Sequence, residues 1–217
     1  MSAADVVTVL LVDDHAVVRE GYRRLLERSS SIRVVGEAAD AQSAYLAFIE
    51  HQPQVTVMDI SLPGASGIEA LRRIRKRDPQ AQVLVFSMHD DPVFASRAFE
   101  AGARGYIAKA AAPEALVEAV MKVARGEPYL TGRMAHDLAL RSKAGGEAPA
   151  DLSPREFEVL RMLVAGRSLG EIAEHLGLTA KTVANHQSIL RQKLGAGSAL
   201  QLLQAAARLG ISAQTPT

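Results

Sequence analysis

Short apolar runs alternate with amphipathic segments through the first half of the chain. The runs are too short for helices and lie at 6–12, 32–38, 55–58, 83–86 and 105–108. Between them apolar residues recur every three or four positions, which is the period of a helix. Parallel strands need crossover connections, and helices supply them. The pattern therefore predicts a doubly wound α/β domain with a five-stranded parallel sheet over residues 1–126.

Residues with strong positional preferences mark the ends of these helices. Asp40, the pair Asp91–Pro92 and Pro113 stand where helices should begin, and Gly102 stands where one should end. Asp caps the amides of a first turn, Pro fits the first helical position, and Gly tolerates the left-handed conformation at a helix end. These signals agree with a helix between each pair of strands.

The alternation breaks after residue 126. Residues 131–143 predict one modest helix, and the small residues of Ala144–Ala150 that follow include Pro149, which disfavours further helix. We therefore predict a partly helical interdomain linker over residues 127–150.

Residues 151–217 carry only helical signals. Ser153-Pro-Arg-Glu156 and Ser168-Leu-Gly-Glu171 have the form of capping boxes, which begin helices. The other boundaries are two helix-ending glycines, a capping threonine and a last amphipathic stretch, at Gly166, Gly177, Thr179 and 198–209. Short helices joined by tight glycine turns predict an all-α, four-helix domain containing a helix-turn-helix.

Composition narrows the class of protein. The 217 residues are 48% hydrophobic and 23% charged, which is the balance of a globular chain. Because cysteine is absent, disulfides, thiolate metal sites and cysteine nucleophiles are excluded, and a cytoplasmic location is expected. The apolar stretch 6–12 is far shorter than the about 20 residues that span a bilayer, so we expect no membrane association.

Charge is uneven although the net charge is only +1. From His175 to the C-terminus no Asp or Glu occurs, while four basic residues remain, at Lys181, Arg191, Lys193 and Arg208. The third C-terminal helix also carries a polar face, formed by Lys181, Ala184, Asn185, Ser188 and Gln192. Such a face favours double-stranded DNA as a partner. A solvated helix face on an interaction domain gives the same pattern, so both interpretations stay open here.

Polar residues follow the strands of the first domain at one edge of the predicted sheet. Asp13 and Asp14 follow the first strand, and Asp59 follows the third. Crowded carboxylates repel one another, and Mg²⁺ prefers such oxygen ligands. Ser87 and Lys109, at the ends of the fourth and fifth strands, could bind the oxygens of a phosphoryl group on a nucleophilic Asp59. Each residue alone could equally be a cap, a loop residue or a solvated charge.

These strand-end residues belong to recognisable motifs: Asp13-Asp14-His15, Asp59-Ile-Ser-Leu-Pro-Gly64 with Gly67, then Ser87, Tyr106 and Lys109. Over residues 6–125 the chain resembles the receiver domain of two-component response regulators. The resemblance implies a flavodoxin-like fold in which a sensor histidine kinase phosphorylates Asp59. Mg²⁺ would bind Asp14, Asp59 and the Ser61 carbonyl, with Asp13 acting through water. Ser87 and Lys109 would contact the phosphoryl group, and Tyr106 would turn inward to report it.

A second set of motifs lies in residues 152–209: Leu152-Ser-Pro-Arg-Glu156, Val159-Leu160, Gly166, Glu171-Ile-Ala173, Leu176, Lys181-Thr-Val183, His186 and Lys193-Leu194. They resemble the LuxR-type DNA-binding domain, and together with the first set they resemble the NarL/FixJ class of response regulators. The resemblance implies a third helix that enters the major groove and a last helix that dimerises.

The second resemblance supplies candidate contacts. The DNA candidates are Lys181, Thr182, Asn185, His186, Ser188, Arg191 and Lys193. The dimer candidates are Leu202, Leu203 and Ala206, and for each of these a core role is equally open. Leu169-Gly170 departs from the usual Asn-Lys of such domains, which removes one expected phosphate contact.

The resulting hypothesis is a phosphorylation-switched transcription factor that forms a homodimer on activation and whose only chemistry is on its own Asp59. One alternative is a Mg²⁺-dependent phosphohydrolase, but Ser61, two residues after Asp59, cannot act as its general acid. Another alternative is a regulator that binds DNA without phosphorylation.

Overall fold

The computed structural model describes residues 6–63, 66–143, 152–209 and 211. The chain divides into two compact units between Ala139 and Leu140. Gly64 of the first motif set and the stretch 144–150 of the predicted linker lie outside the described residues. Among the described helices, none is long and apolar enough to cross a bilayer.

The first unit alternates strands and helices. In chain order its elements are β1 (Val7–Val12), α1 (Ala16–Glu27), β2 (Ile32–Ala38), α2 (Ala41–His51), β3 (Val55–Met58), α3 (Gly67–Arg77), β4 (Val83–Ser87), α4 (Pro92–Glu100), β5 (Gly105–Ala108), α5 (Pro113–Ala124), β6 (Tyr129–Leu130) and α6 (Gly132–Lys143), the last of which crosses the division between the units.

All strand pairs are parallel, in the order β2-β1-β3-β4-β5-β6. Side chains alternate between the two faces of a strand. Val9 and Leu11 accordingly join a core under α1 and α5, whereas α2 contacts β1, and α4 contacts β5. The predicted doubly wound α/β fold is confirmed.

The sheet gains one strand beyond the predicted five. β6 has only two residues, Tyr129 and Leu130, and pairs with Gly105 and Tyr106 of β5. It lies within the segment predicted as a linker. Two residues are too few to show a strand period, which is why the pattern of apolar positions did not reveal it.

The predicted helix boundaries are confirmed in the first unit. Asp40 caps α2 through the amides of Gln42 and Ser43, and Asp91 caps α4 with Pro92 in its first turn. Pro113 begins α5. Gly102 follows α4 with a φ of +99°, a conformation that side chains with a Cβ rarely adopt.

Over residues 152–209, the second unit contains four helices: α7 (Pro154–Val164), α8 (Leu169–Leu176), α9 (Ala180–Lys193) and α10 (Ala199–Arg208). Both capping boxes are formed, and Thr179 caps α9. Fully or nearly fully buried apolar side chains from all four helices make its core, among them Phe157, Leu160, Ile172, Val183, Leu190 and Leu202. The predicted four-helix domain is confirmed.

Candidate functional site

Two carboxylates and one ammonium meet at the carboxyl edge of the sheet. The register sets Val12 of β1 beside Met58 of β3, so the residues that follow, Asp13 and Asp59, are neighbours. Lys109 follows β5, and its Nζ lies 2.5 Å from Asp13 Oδ2 and 2.5 Å from Asp59 Oδ2. Because all three side chains are at most 7% exposed, their charges interact through little water.

Charge balance within this group favours the protonated lysine. Burial by itself lowers the pKa of Lys109, but the carboxylates of Asp59 and Asp13 outweigh burial and hold that pKa above its usual value. The second oxygen of each carboxylate is held by the backbone: the Ser61 amide donates to Asp59 Oδ1 at 3.0 Å, and the His15 amide donates to Asp13 Oδ1 at 2.8 Å. Both carboxylates therefore have fixed orientations.

Asp14 supplies a further carboxylate with a different environment. Its Oδ1 is buried and accepts no hydrogen bond from the described residues, although His15 Nδ1 lies 2.8 Å away. Asp13, Asp14 and His15 bring ligand atoms within 4.8 Å of one another. Two carboxylates with ligand atoms this close fit a hard cation such as Mg²⁺. This group contains two of the predicted ligands, Asp13 and Asp14, while the third, Asp59, is joined to Asp13 through Lys109 Nζ.

Ser87 and Tyr106 meet through the loop after β4. Ser87 is fully buried, and its Oγ accepts a hydrogen bond from the His89 amide at 3.1 Å. Tyr106 is 1% exposed, and its hydroxyl donates to the His89 carbonyl at 2.7 Å. Burial raises the pKa of Tyr106, while a hydrogen bond with Ser87 opposes that rise. Tyr106 therefore already points inward.

His89 is a site residue that the sequence did not reveal. Its Nε2 lies 3.1 Å from Ser61 Oγ, and its ring stacks on Phe94 at 4.2 Å between centroids. It thus connects the loop after β3 with the loop after β4. A single histidine in a loop has no period or motif, and its distance of two residues from Ser87 was the only available signal.

The second unit presents a polar stripe on α9. Lys181, Ala184, Asn185, Ser188 and Gln192 are exposed on one side of the helix, opposite the buried Val183 and Leu190. The other DNA candidates, Thr182, His186 and Arg191, are half-buried on its flanks. The Thr182 hydroxyl bonds to that of Thr179 at 2.8 Å, which gives Thr182 a capping role.

Lys193 has a partner inside the unit. Its Nζ lies 2.8 Å from Oε2 of Glu156, which is 6% exposed and also closes the capping box of α7. The neighbouring Arg155 donates to the carbonyl of Leu176 at the end of α8. Adjacent residues of α7 therefore hold both helices of the helix-turn-helix, α8 through Arg155 and α9 through the pair of Glu156 and Lys193.

The predicted dimer contacts need a correction. Leu202 and Ala206 are 3% and 0% exposed within a single chain, because they face the core of the second unit. Leu203 is 41% exposed, and Leu200, which was not predicted, is 65% exposed. The large apolar side chains of α10 that a partner can reach are therefore Leu200 and Leu203.

Two family models match the chain. One, described as the response regulator receiver domain, matches residues 9–121. The other, described as bacterial regulatory proteins of the luxR family, matches residues 150–206. Each match lies within one of the two compact units.

Individual proteins and solved structures are also similar to the chain. The response regulator UvrY of Escherichia coli strain K12 is 35% identical over 208 residues, covering 94% of this chain and 95% of UvrY. A LuxR-family response regulator from Aurantimonas sp. SI85-9A1 has a TM-score of 0.61 and 46% identity, covering 63% of this chain and 98% of that one. RcsB from Salmonella enterica serovar Typhimurium, solved bound to a promoter with the phosphomimetic BeF₃⁻, has a TM-score of 0.58 and 29% identity over 92% of this chain and 98% of RcsB.

Proposed function

This chain belongs to the two-component response regulators of the NarL/FixJ type, and we propose that phosphorylation of Asp59 switches its LuxR-type domain into a DNA-binding dimer. The convergence of Asp13, Asp59 and Lys109 at one edge of the sheet carries the proposal, with both Lys109 contacts at 2.5 Å. We assign the receiver to residues 1–126 and the DNA-binding domain to 151–217; the intervening segment 127–150, predicted as a linker, begins with β6, which pairs with the receiver sheet. The proposed location is the cytoplasm, where DNA is present.

The phosphoryl donor is a phosphohistidine of a sensor kinase. The Asp59 carboxylate attacks phosphorus, the P–N bond to the imidazole breaks, and an acyl phosphate forms on Asp59. Asp13, Asp14, Asp59 and the Ser61 carbonyl would hold Mg²⁺, which would supply positive charge against the phosphoryl oxygens. Lys109 Nζ, now shared between two carboxylates, then gains a phosphoryl oxygen as a third acceptor.

The signal passes through Ser87. Its hydroxyl accepts a hydrogen bond from the His89 amide in the loop after β4. It also forms a hydrogen bond with Tyr106 of β5. A phosphoryl oxygen on Asp59 competes for that hydroxyl and draws the loop toward the edge of the sheet. The inward Tyr106 belongs to the arrangement that phosphorylation favours, so the receiver shifts between two populated states.

The α9 stripe is the proposed DNA surface. Asn185 stands at the centre of the exposed stripe and can pair with an adenine edge, while Lys181 at its N-terminal end can contact a phosphate. RcsB, a similar protein, is solved with DNA. The exposed Leu200 and Leu203 of α10 form the proposed contact between two copies, since paired half-sites require two recognition helices.

Sizing by light scattering tests the proposal. We expect BeF₃⁻ with Mg²⁺ to convert the wild type from monomer to dimer and to raise its affinity for DNA selected from a random pool. Asp59→Asn should abolish both responses. Asp40→Asn is a matched control: Asp40 also follows a strand at this edge, but it caps α2, and Asn caps equally well.

Each outcome has a distinct meaning. Responses in the wild type that survive in Asp59→Asn would refute Asp59 as the acceptor. A DNA affinity that BeF₃⁻ does not change in any variant would favour the phosphorylation-independent regulator. Turnover of an added phosphomonoester would favour the phosphohydrolase, for which Ser61 supplies no acid.

A further inference from the structure

Arg19 of α1 reaches back to the loop that carries the acidic pair. Its Nη1 donates to the backbone carbonyl of Asp13 at 2.6 Å, and its Nε donates to Glu37 Oε2 at 2.7 Å. One guanidinium therefore connects the end of β1 with β2. The side chain of Arg19 is only 16% exposed, so the contacts lie mostly out of water.

The amide of Asp13 bonds to the Ala38 carbonyl, and its carboxylate is held by Lys109 and the His15 amide, so the carbonyl of Asp13 is the group that Arg19 restrains. The N-cap residue of α1, His15, makes no side-chain capping hydrogen bond, whereas α2 and α3 begin with capped first turns. Asp13 is 5% exposed, so its carbonyl needs a donor inside the protein. Arg19 supplies that donor, and the planar guanidinium fixes two acceptors in one geometry.

Glu37 in turn holds Arg19 in place. Its other oxygen accepts from Arg23 Nη1 at 3.0 Å, and hydrogen bonds, first of all from Arg19, hold the pKa of Glu37 below its usual value. An ordinary surface pair on the same helix looks different: Arg24 and Glu20 are 2.7 Å apart, but their side chains are 79% and 49% exposed. Pairs of that kind contribute little.

We propose that Arg19 is a positioning residue for the magnesium site, which fixes the loop after β1 so that Asp13 and Asp14 face the cation before it arrives. The inference rests on the proposed function, since it presupposes Mg²⁺ binding. A loop that is already ordered loses less conformational entropy when the ion binds. Partners behind metal ligands typically contribute about tenfold or more to affinity.

The direction of the change in Mg²⁺ affinity distinguishes a positioning role of Arg19 from a purely electrostatic one. A positive charge near the site repels Mg²⁺, so Arg19→Gln would tighten Mg²⁺ binding if Arg19 acted by charge alone. If Arg19 acts by position, Arg19→Gln weakens binding. Arg19→Lys keeps the positive charge but cannot reach both acceptors. Glu37→Gln keeps the charge of Arg19 but weakens the ion pair that holds its guanidinium in place.

The experiment is calorimetric titration of the full-length protein with Mg²⁺, accompanied by hydrogen exchange of the loop after β1 in metal-free buffer. We expect about tenfold weaker binding in Arg19→Lys and Arg19→Gln, a smaller loss in Glu37→Gln, and faster exchange at residues 13–16 in all three. Arg24→Gln, on the same helix, should match the wild type in both measurements. Far-UV circular dichroism serves to check that each variant is folded.

Wild-type affinity and exchange in Arg19→Lys, or tighter binding in Arg19→Gln, would overturn the inference while the proposed function stands. If the wild type itself bound no Mg²⁺, the proposed metal site and this inference would both be overturned.

Discussion

Lys109 Nζ lies 2.5 Å from Asp59 Oδ2, and the same nitrogen lies 2.5 Å from Asp13 Oδ2. One ammonium therefore lies between two buried carboxylates and offsets part of their charge. The arrangement links stability to chemistry, because the group that keeps the site folded is also the group proposed to receive the phosphoryl oxygens. Lys109 is therefore expected both to stabilise the site and to contact the phosphoryl group.

Replacing Lys109 by Met tests this double role. Without Mg²⁺ we expect the free energy of unfolding to fall by about 3 kcal/mol, because removal of one partner leaves buried carboxylates uncompensated. Mg²⁺ should restore more stability to Lys109→Met than to the wild type. Urea unfolding with and without Mg²⁺ measures both effects. Lys122→Met, which breaks an exposed pair with Glu118, should change little, and an equal loss in both variants would contradict the prediction.

Tyr106→Phe tests the link between Ser87 and the loop after β4. The variant keeps the buried ring but removes the hydroxyl that donates to the His89 carbonyl. We expect a loss of about 1 kcal/mol in unfolding free energy and a weaker dimer response to BeF₃⁻, although Asp59 is intact. Tyr129→Phe removes a hydroxyl on the edge strand β6 and serves as control. An undiminished dimer response in Tyr106→Phe would refute the proposed role.

The sequence predicted the features that follow from the spacing of apolar residues and from the order of the strands. Because the sheet is parallel, strand ends alone brought Asp13, Asp59 and Lys109 to one edge, and the helix boundaries followed from Asp40 and the capping boxes. Contacts set by tertiary packing were not predictable. His89 meets Ser61 across 28 positions of sequence, and Lys193 meets Glu156 across 37. Nor could the periodicity of α10 separate its buried Leu202 from its exposed Leu203, since both are apolar.

Two substitutions on α9 should weaken DNA binding in different ways. Asn185→Ala should cost about 2 kcal/mol on the selected DNA sequence, with an unchanged salt dependence, because a base contact carries specificity. Lys181→Ala should weaken binding to all sequences and reduce the slope of log K against log salt by about 1. Fluorescence anisotropy with labelled DNA over a salt series distinguishes them. Lys76→Ala, an exposed lysine of α3, is the control, and equal slopes for Lys181→Ala and wild type would exclude a phosphate contact.

Substitutions at two neighbouring leucines of α10 should affect different properties, dimerisation in one case and stability in the other. Leu203→Glu adds charge to an exposed position and should prevent the BeF₃⁻-induced dimer while leaving the fold intact. Leu202→Ala removes a side chain that is 3% exposed and should destabilise the second unit by about 3 kcal/mol. Light scattering and thermal unfolding separate the two effects. A dimer that survives Leu203→Glu would move the contact to another surface.

The pair of Glu156 and Lys193 should make the anchoring of α9 sensitive to acid. Burial by itself raises the pKa of Glu156, but the hydrogen bonds from Lys193 and the Ser153 amide outweigh burial and hold that pKa below its usual 4.5. A carboxyl group whose pKa is lower in the folded state contributes stability above its unfolded value, and that contribution is lost as the pH falls from 4.5 through the folded pKa.

Glu156→Gln removes this contribution at every pH. At neutral pH we expect the α9 amides of the variant to exchange faster, by an amount that corresponds to about 2 kcal/mol for lost charge-assisted hydrogen bonds. Below pH 4.5 the difference from wild type should shrink, because the wild-type carboxyl becomes protonated. Comparing both proteins at the same pH cancels the intrinsic exchange rate. Glu171→Gln alters the exposed capping box of α8, which has no lysine partner among its described contacts, and should leave α9 unchanged. A pH-independent difference for Glu156→Gln would show that the ion pair does not anchor the helix.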